Sequence, residues 1–156
     1  MTKLVIREAI ITDLSEILNL YIQTKLAGNK VLSHKEAEVI FERISKYPDY
    51  KIYVAFNDNT MVGTFALLVM DNLANQGAKS AIVEDVAVSP DSQGQGVGKR
   101  MMNFALEICR NKYCYKLVLS SNVKREKAHE FYEKLGFEKH GYSFKLDLGQ
   151  GFNKSS

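Results

Sequence analysis

Tryptophan is absent from the 156-residue chain, and proline, cysteine and histidine are scarce, at two, two and three residues. Each scarcity closes a class. Cys109 and Cys114 lie five apart with no second pair for a zinc site and too few partners for a disulfide framework, so both are expected to be reduced core thiols. His34, His129 and His140 lack metal-ligand spacing and no H-E-x-x-H motif occurs, so no metal is expected. The longest apolar run, "FALLVM", falls far short of the roughly 20 residues that span a bilayer. The opening "MTKLVIREAIITDL" carries charges where a secretory signal needs an apolar core, so the expectation is a cytoplasmic protein with no membrane partner. Charge of one sign is scarce too. Against 18 Asp and Glu stand 21 Lys and Arg, a net +3 that is much smaller than the basic excess of nucleic-acid binders, and no nucleic-acid partner is expected.

What remains is an ordinary globular balance, 46% hydrophobic and 25% charged, in a chain long enough to bury one core. "KLVIREA" reads as a strand. Thr12 is a candidate cap for a helix in which Leu14, Ile17, Leu18 and Tyr21 recur at helical spacing, and a second helix is predicted from Ser33 to before Pro48. "YKIYVAF" and "MVGTFALLVM" flank the turn "NDNT" as a hairpin, and "SAIVEDVAVS" follows as a further strand. After it come an amphipathic helix, the strand "YKLVLSS", a helix in "REKAHEFYEKLGF" stopped by Gly136, and the alternating "YSFKLDL", which reads as a closing strand. A strand, helix and strand in that order imply a parallel pair between residues 81–88 and 116–121. The expectation is one mixed α/β domain over residues 1–148 and a frayed tail over 149–156.

The most informative stretch is "SPDSQGQGVGKRMMNF", which places Gly94, Gly96 and Gly98 within five residues and then becomes helix. Such an entry leaves N–H groups unpaired and aimed at one place, which suits a phosphate. The register fits neither the Rossmann fingerprint nor a Walker loop, because Gly98-Lys99 is followed by Arg100.

Gln93, Gly96 and Gly98 match the hallmark of the GCN5-related N-acetyltransferase superfamily, Gln or Arg, two residues, Gly, one residue, Gly or Ala. The chain resembles that family through "VEDVAVSPDSQGQGVGKRMMNFALE" and "AHEFYEKLGF", and in its order of elements from Leu4 to Leu148. The resemblance implies a mostly antiparallel twisted sheet with a splayed parallel pair and flanking helices. It also implies acetyl-CoA as co-substrate, its pyrophosphate cradled by Gln93, Gly94, Gln95, Gly96, Val97, Gly98 and Lys99, and its pantetheine arm held against Val86, Ala87 and Val88 as an added strand. Asn122 would bond the pantetheine arm or the adenosine side; as a turn residue it would need no such role.

Acyl transfer to an amine needs a proton acceptor, because an alkylamine of pKa about 10 arrives protonated. Glu84 and Asp85 are adjacent on an otherwise apolar strand, and alternation predicts that they face opposite sides of the sheet. Either could be the base, with the resemblance favouring Glu84 and leaving Asp85 to the substrate, or both could meet cations structurally. The resemblance places Tyr132 beside the coenzyme sulfur, where its phenol can protonate the thiolate. Lys124 and Arg125 are candidates for an anionic group on the acceptor, since parts of the chain are similar to family members whose acceptors bear phosphate or phosphonate. The expected function is direct acetyl transfer to a small primary amine. A non-catalytic acyl-CoA sensor and a protein or peptide acetyltransferase are the alternatives, and the closing strand is the element through which a homodimer could form.

Overall fold

The computed structural model describes residues 3–26, 28 and 30–153. In chain order the elements are β1 (Leu4–Glu8), α1 (Leu14–Gln23), α2 (His34–Ser45), β2 (Tyr50–Asn57), β3 (Thr60–Met70), β4 (Lys79–Val88), α3 (Val97–Asn111), β5 (Cys114–Val118) and α4 (Glu126–Lys134). They fall into two compact units, one ending at Leu119 and one beginning at Ser120.

The first unit is a five-stranded sheet in sequential order, β1 to β5. Its first three pairings are antiparallel and β4–β5 is parallel, the mixed sheet with one parallel pair that the resemblance implied. Cross-strand rows decide which residues share a face. Tyr53 and Phe65 stack at 5.2 Å between ring centroids, with Phe104 of α3 edge-on at 5.5 Å, so that row faces α3. Gly63 fits on the same packing seam because a Cβ there would stand 2.7 Å from Met101 Sδ. The opposite rows belong to α1 and α2, where Leu14, Ile17, Leu20 and Ala37 bury against Val54 and Ala87.

Local chemistry sets the helix ends. Ser33 and Glu36 close the start of α2 reciprocally, the Glu36 N–H donating to Ser33 Oγ at 3.2 Å and the Ser33 N–H to Glu36 Oε2 at 2.8 Å. Thr12 is not the cap of α1. It lies inside a 3-10 turn, Ile11–Asp13, and the buried Asp13 does the anchoring, accepting the Ile10 N–H at 2.8 Å and both guanidinium nitrogens of Arg7 at 2.7 and 3.0 Å. Those bonds hold the Asp13 carboxyl below its ordinary range.

Two expectations about strands are corrected. The strand predicted over 116–121 runs from Cys114 to Val118, and it pairs with β4 only from Lys79 to Ile82. The alternating stretch from Tyr142 to Leu148 forms no strand. Tyr142, Phe144, Leu146 and Leu148 are all exposed, and the second unit contains no other described strand to supply a ladder. Alternation specifies a period; a strand also needs a neighbour.

The second unit is built around α4. Its end is a Schellman closure, with Gly136 at φ 96°, the Gly136 N–H donating to the Glu133 carbonyl and the Phe137 N–H to that of Tyr132. Gly136 is therefore the stop that the sequence indicated. Residues 149–153 form no helix or strand, and the rest of the expected tail, 154–156, lies outside the described residues.

Candidate active site

The glycine stretch follows β4 through a 3-10 turn, Pro90–Ser92, and enters α3 at Gly96. Gly94 and Gly96 both adopt positive φ, 78° and 83°, a conformation that costs a side-chain-bearing residue about 1–2 kcal/mol. A Cβ at either would meet nothing within 4 Å, so internal crowding does not demand glycine there. The first helical bond runs from the Arg100 N–H to the Gly96 carbonyl, and Gly96 offers no side chain to cap the turn. The N–H groups of Val97, Gly98 and Lys99 are thus presented at the positive end of a 15-residue helix. The two glutamines brace the loop: Gln93 Nε2 donates to the Val88 carbonyl at 3.4 Å and Gln95 Nε2 to that of Asp91 at 3.1 Å. Lys99 is exposed beside this cradle, whereas the Arg100 guanidinium donates to the Leu4 carbonyl at 3.2 Å and so belongs to the anchoring of β1.

Just upstream, β4 loses its parallel neighbour after Ile82, so Val86, Ala87 and Val88 follow a strand edge that β5 does not cover. The open cradle and the uncovered edge fit the two ends of a coenzyme A molecule, a pyrophosphate and an amide-bearing arm.

Glu84 and Asp85 do not behave as alternation predicts. Ala66 pairs with Glu84 and Thr64 with Ala87, leaving Asp85 and Val86 together opposite Phe65. This is a β-bulge, and Asp85 takes the strain at φ 53°. The bulge cancels the strict alternation, and both carboxylates act electrostatically on the hydroxyl of Tyr50, Asp85 the more strongly. Surrounding protein partly desolvates both acids although each still reaches water, and this raises each above the ordinary carboxylate range; Glu84 is raised further by Asp85.

Two tyrosines that sequence reasoning missed feel the charge of this carboxylate pair. Burial pushes the Tyr21 hydroxyl of α1 well up, with Asp85 and then Tyr50 adding to the effect, and burial likewise raises Tyr50, with Asp85, Glu84 and Tyr47 adding. Tyr21 read only as one residue of an apolar stripe, and no local signal could link positions 21, 50 and 85.

The second unit holds the remaining candidates. Asn122 makes a turn: its Oδ1 accepts the Lys124 N–H at 2.9 Å, and its carbonyl accepts the Arg125 N–H at 3.0 Å and His129 Nε2 at 2.9 Å. Among the described residues, Ser121 Oγ is the buried side-chain oxygen without a hydrogen-bond partner, one position before that turn. Lys124 and Arg125 line a cavity of about 420 Å³ with Glu126, Lys127 and Ala128 at the start of α4. Tyr132 lies edge-on to both Phe131 and Phe137, at 5.1 and 5.7 Å between centroids. Burial raises its hydroxyl, opposed by Arg125, so it stays protonated and able to donate at neutral pH.

A glycine-led helix start, a strand edge that β5 does not cover and an adjacent carboxylate pair are the site features of the first unit. Residues 14–137 match the acetyltransferase (GNAT) family, and the chain belongs to that family of acetyl-CoA-dependent enzymes. It is 37% identical over 98 residues to glucosamine 6-phosphate N-acetyltransferase of Trypanosoma brucei brucei, covering 63% of this chain and 65% of that one. It is 26% identical over 108 residues to the Arabidopsis thaliana enzyme of the same name, covering 67% and 70%. A crystal structure of a Trypanosoma brucei acetyltransferase superposes with TM-score 0.80 at 32% identity, covering 94% of this chain and 100% of that one. Among the described residues, no group of three or more His, Cys, Asp or Glu could hold a metal ion, and no helix is long and apolar enough to cross a membrane.

Proposed function

We propose that this protein transfers an acetyl group from acetyl-CoA directly to the primary amine of a small molecule. The observation that carries this reading is the unpaired N–H run from Val97 to Lys99 next to a carboxylate pair on a strand whose edge is open. Acetyl-CoA supplies the thioester. The backbone from Gln93 to Lys99 binds its pyrophosphate, and the β4 backbone from Val86 to Val88 orients its arm. Glu84, directly or through water, takes the proton of the acceptor's ammonium, and Asp85 holds that ammonium by charge. The neutral amine then attacks the thioester carbonyl, and as the C–S bond breaks Tyr132 gives its proton to the departing thiolate; the second proton, shed by the newly acylated nitrogen, passes through water to the Tyr132 phenolate, so the products are the amide and the free thiol. The Asn122 amide contributes a donor to the coenzyme.

The acceptor we favour bears phosphate or phosphonate. Support comes from the names of the two relatives and from the cavity lined by Lys124, Arg125 and Lys127, three cations against the one carboxylate of Glu126. A guanidinium grips such an oxyanion in two places and an ammonium adds a point charge.

The test is a steady-state screen with acetyl-CoA across glucosamine 6-phosphate, glucosamine, aminomethyl- and aminoethylphosphonate, a polyamine and a lysine peptide. Faster turnover of the anionic amines is the expected result. Equal or better rates with the polyamine or the peptide remove the anion reading, and coenzyme binding with no turnover of any amine makes the protein an acyl-CoA sensor.

A further inference from the structure

Beyond the carboxylate pair, the α1/α2 face of the sheet carries a cavity of about 250 Å³ that the proposed reaction does not use. Its walls include Ala9, Ile10, Phe41, Ile44, Tyr50 and Ile52. The polar groups on its lining are already engaged within the protein: Lys51 pairs with Glu8 at 3.4 Å, and Ser45 Oγ donates to the Glu42 carbonyl at 2.6 Å. What the cavity offers a ligand is therefore apolar surface, and an apolar cavity of only about 150 Å³ can hold a benzene ring.

The registers place this cavity relative to the acids. Ile52, Ala66 and Glu84 form one cross-strand row, and Tyr50, Leu68 and Ile82 form the next row on the same face. From β2 to β4 is two strand spacings, about 10 Å, a gap that side chains reaching from both strands can close. Tyr50 is the residue common to the two places. Its ring is part of the cavity wall and sits edge-on to Tyr47 at 5.6 Å, while its row lies next to that of Glu84 on the same face and its hydroxyl is within the electrostatic reach of Asp85 and Glu84.

We propose that Tyr50 is a specificity-determining partition: it closes the apolar cavity off from the carboxylates, and so limits the acceptor to amines with a short body on this side. Removing the ring joins the two spaces, and the enlarged site then takes amines with a linear or aryl apolar group of about six carbons. This rests on the reading of Glu84 and Asp85 as the amine site.

The experiment compares propylamine and hexylamine, with the best acceptor of the amine screen as reference, in wild type and in Tyr50→Val, Tyr50→Leu and Tyr50→Phe. Valine and leucine both suit a strand and keep it apolar, so either variant suffices, and coenzyme A titration confirms that each is folded. A buried methylene is worth about fourfold, so three of them set a ceiling near 60-fold. The expected result is a rise of about 10-fold or more in the hexylamine to propylamine ratio of kcat/KM in the valine or leucine variant. In Tyr50→Phe, which keeps the wall, the ratio should stay within about twofold of wild type while KM for the short amine rises. An unchanged ratio in folded valine and leucine variants that still turn over the reference amine overturns the partition. Wild-type protein that binds coenzyme A and turns over no amine overturns the underlying assignment of the site, and the partition with it.

Discussion

Two helices of the first unit begin in opposite ways. At α2, Ser33 and Glu36 satisfy each other's backbone N–H groups, so the helix start is finished by the chain itself. At α3, Gly96 brings no side chain, the backbone turns through positive φ twice, and three N–H groups are left facing outward. Both starts carry the same deficit of hydrogen-bond acceptors. A start without a side-chain cap is shared by α1 and α4, so what sets α3 apart is the pair of left-handed glycines that leads into it, and the function proposed above assigns the missing acceptors to a bound pyrophosphate.

The strongest way to break that comparison is to fill the bare start. Gly96→Glu places a side chain on a left-handed residue and a negative charge where a pyrophosphate belongs, so strain of about 1–2 kcal/mol adds to the loss of charge-assisted bonds worth about 1.5–3 kcal/mol each. Isothermal titration should show coenzyme A affinity reduced by about 1,000-fold in a folded protein; unchanged affinity would move the coenzyme elsewhere.

Chemistry should separate from this binding device. Tyr132→Phe keeps the ring that packs against Phe131 and Phe137 and removes the proton donor, so kcat should fall by about 100-fold while coenzyme affinity holds. Normal turnover under conditions where chemistry limits the rate would take the role from Tyr132.

A smaller effect is expected at the carboxylates. A base works only when ionised, and Glu84 is raised by burial and by Asp85, so the acid limb of the pH–rate profile should lie above the ordinary carboxylate range, with activity lost as pH falls through it. Glu84→Gln should lower kcat/KM by about 10-fold and remove that limb; a limb that persists in the variant assigns the base to another group, Asp85 first.

The smallest effect sharpens the other half of the comparison. Ser33→Ala should cost about 1 kcal/mol of stability in denaturant melts and leave coenzyme affinity alone, because that cap serves only its own helix. A loss of coenzyme binding at Ser33→Ala would show that the two helix starts are not independent.

What could be read from the chain tracks the range of the forces involved. Gly94, Gly96 and Gly98 announced the α3 start, Ser33 the start of α2, and Gly136 the stop of α4, because each depends on bonds within a few residues. Strand alternation was a poorer guide. It misled at Glu84 and Asp85, because a bulge is created by the pairing of β4 with β3 and has no marker in "AIVEDVAV" alone. It also misled at "YSFKLDL", where a period of two was present without a neighbour to complete the ladder.

By itself, then, the sequence determined the α/β class, the glycine turn into α3 and the residue types able to move a proton, since these follow from backbone preference and side-chain chemistry. Only the tertiary structure decided that β5 leaves β4 beyond Ile82, that a bulge breaks the alternation at Glu84 and Asp85, and that the charge of Asp85 reaches both Tyr50 and Tyr21 of a distant helix. Those facts depend on registers between strands and on helix packing across the sheet, which couple residues up to 64 positions apart and leave no trace in any local stretch of the chain.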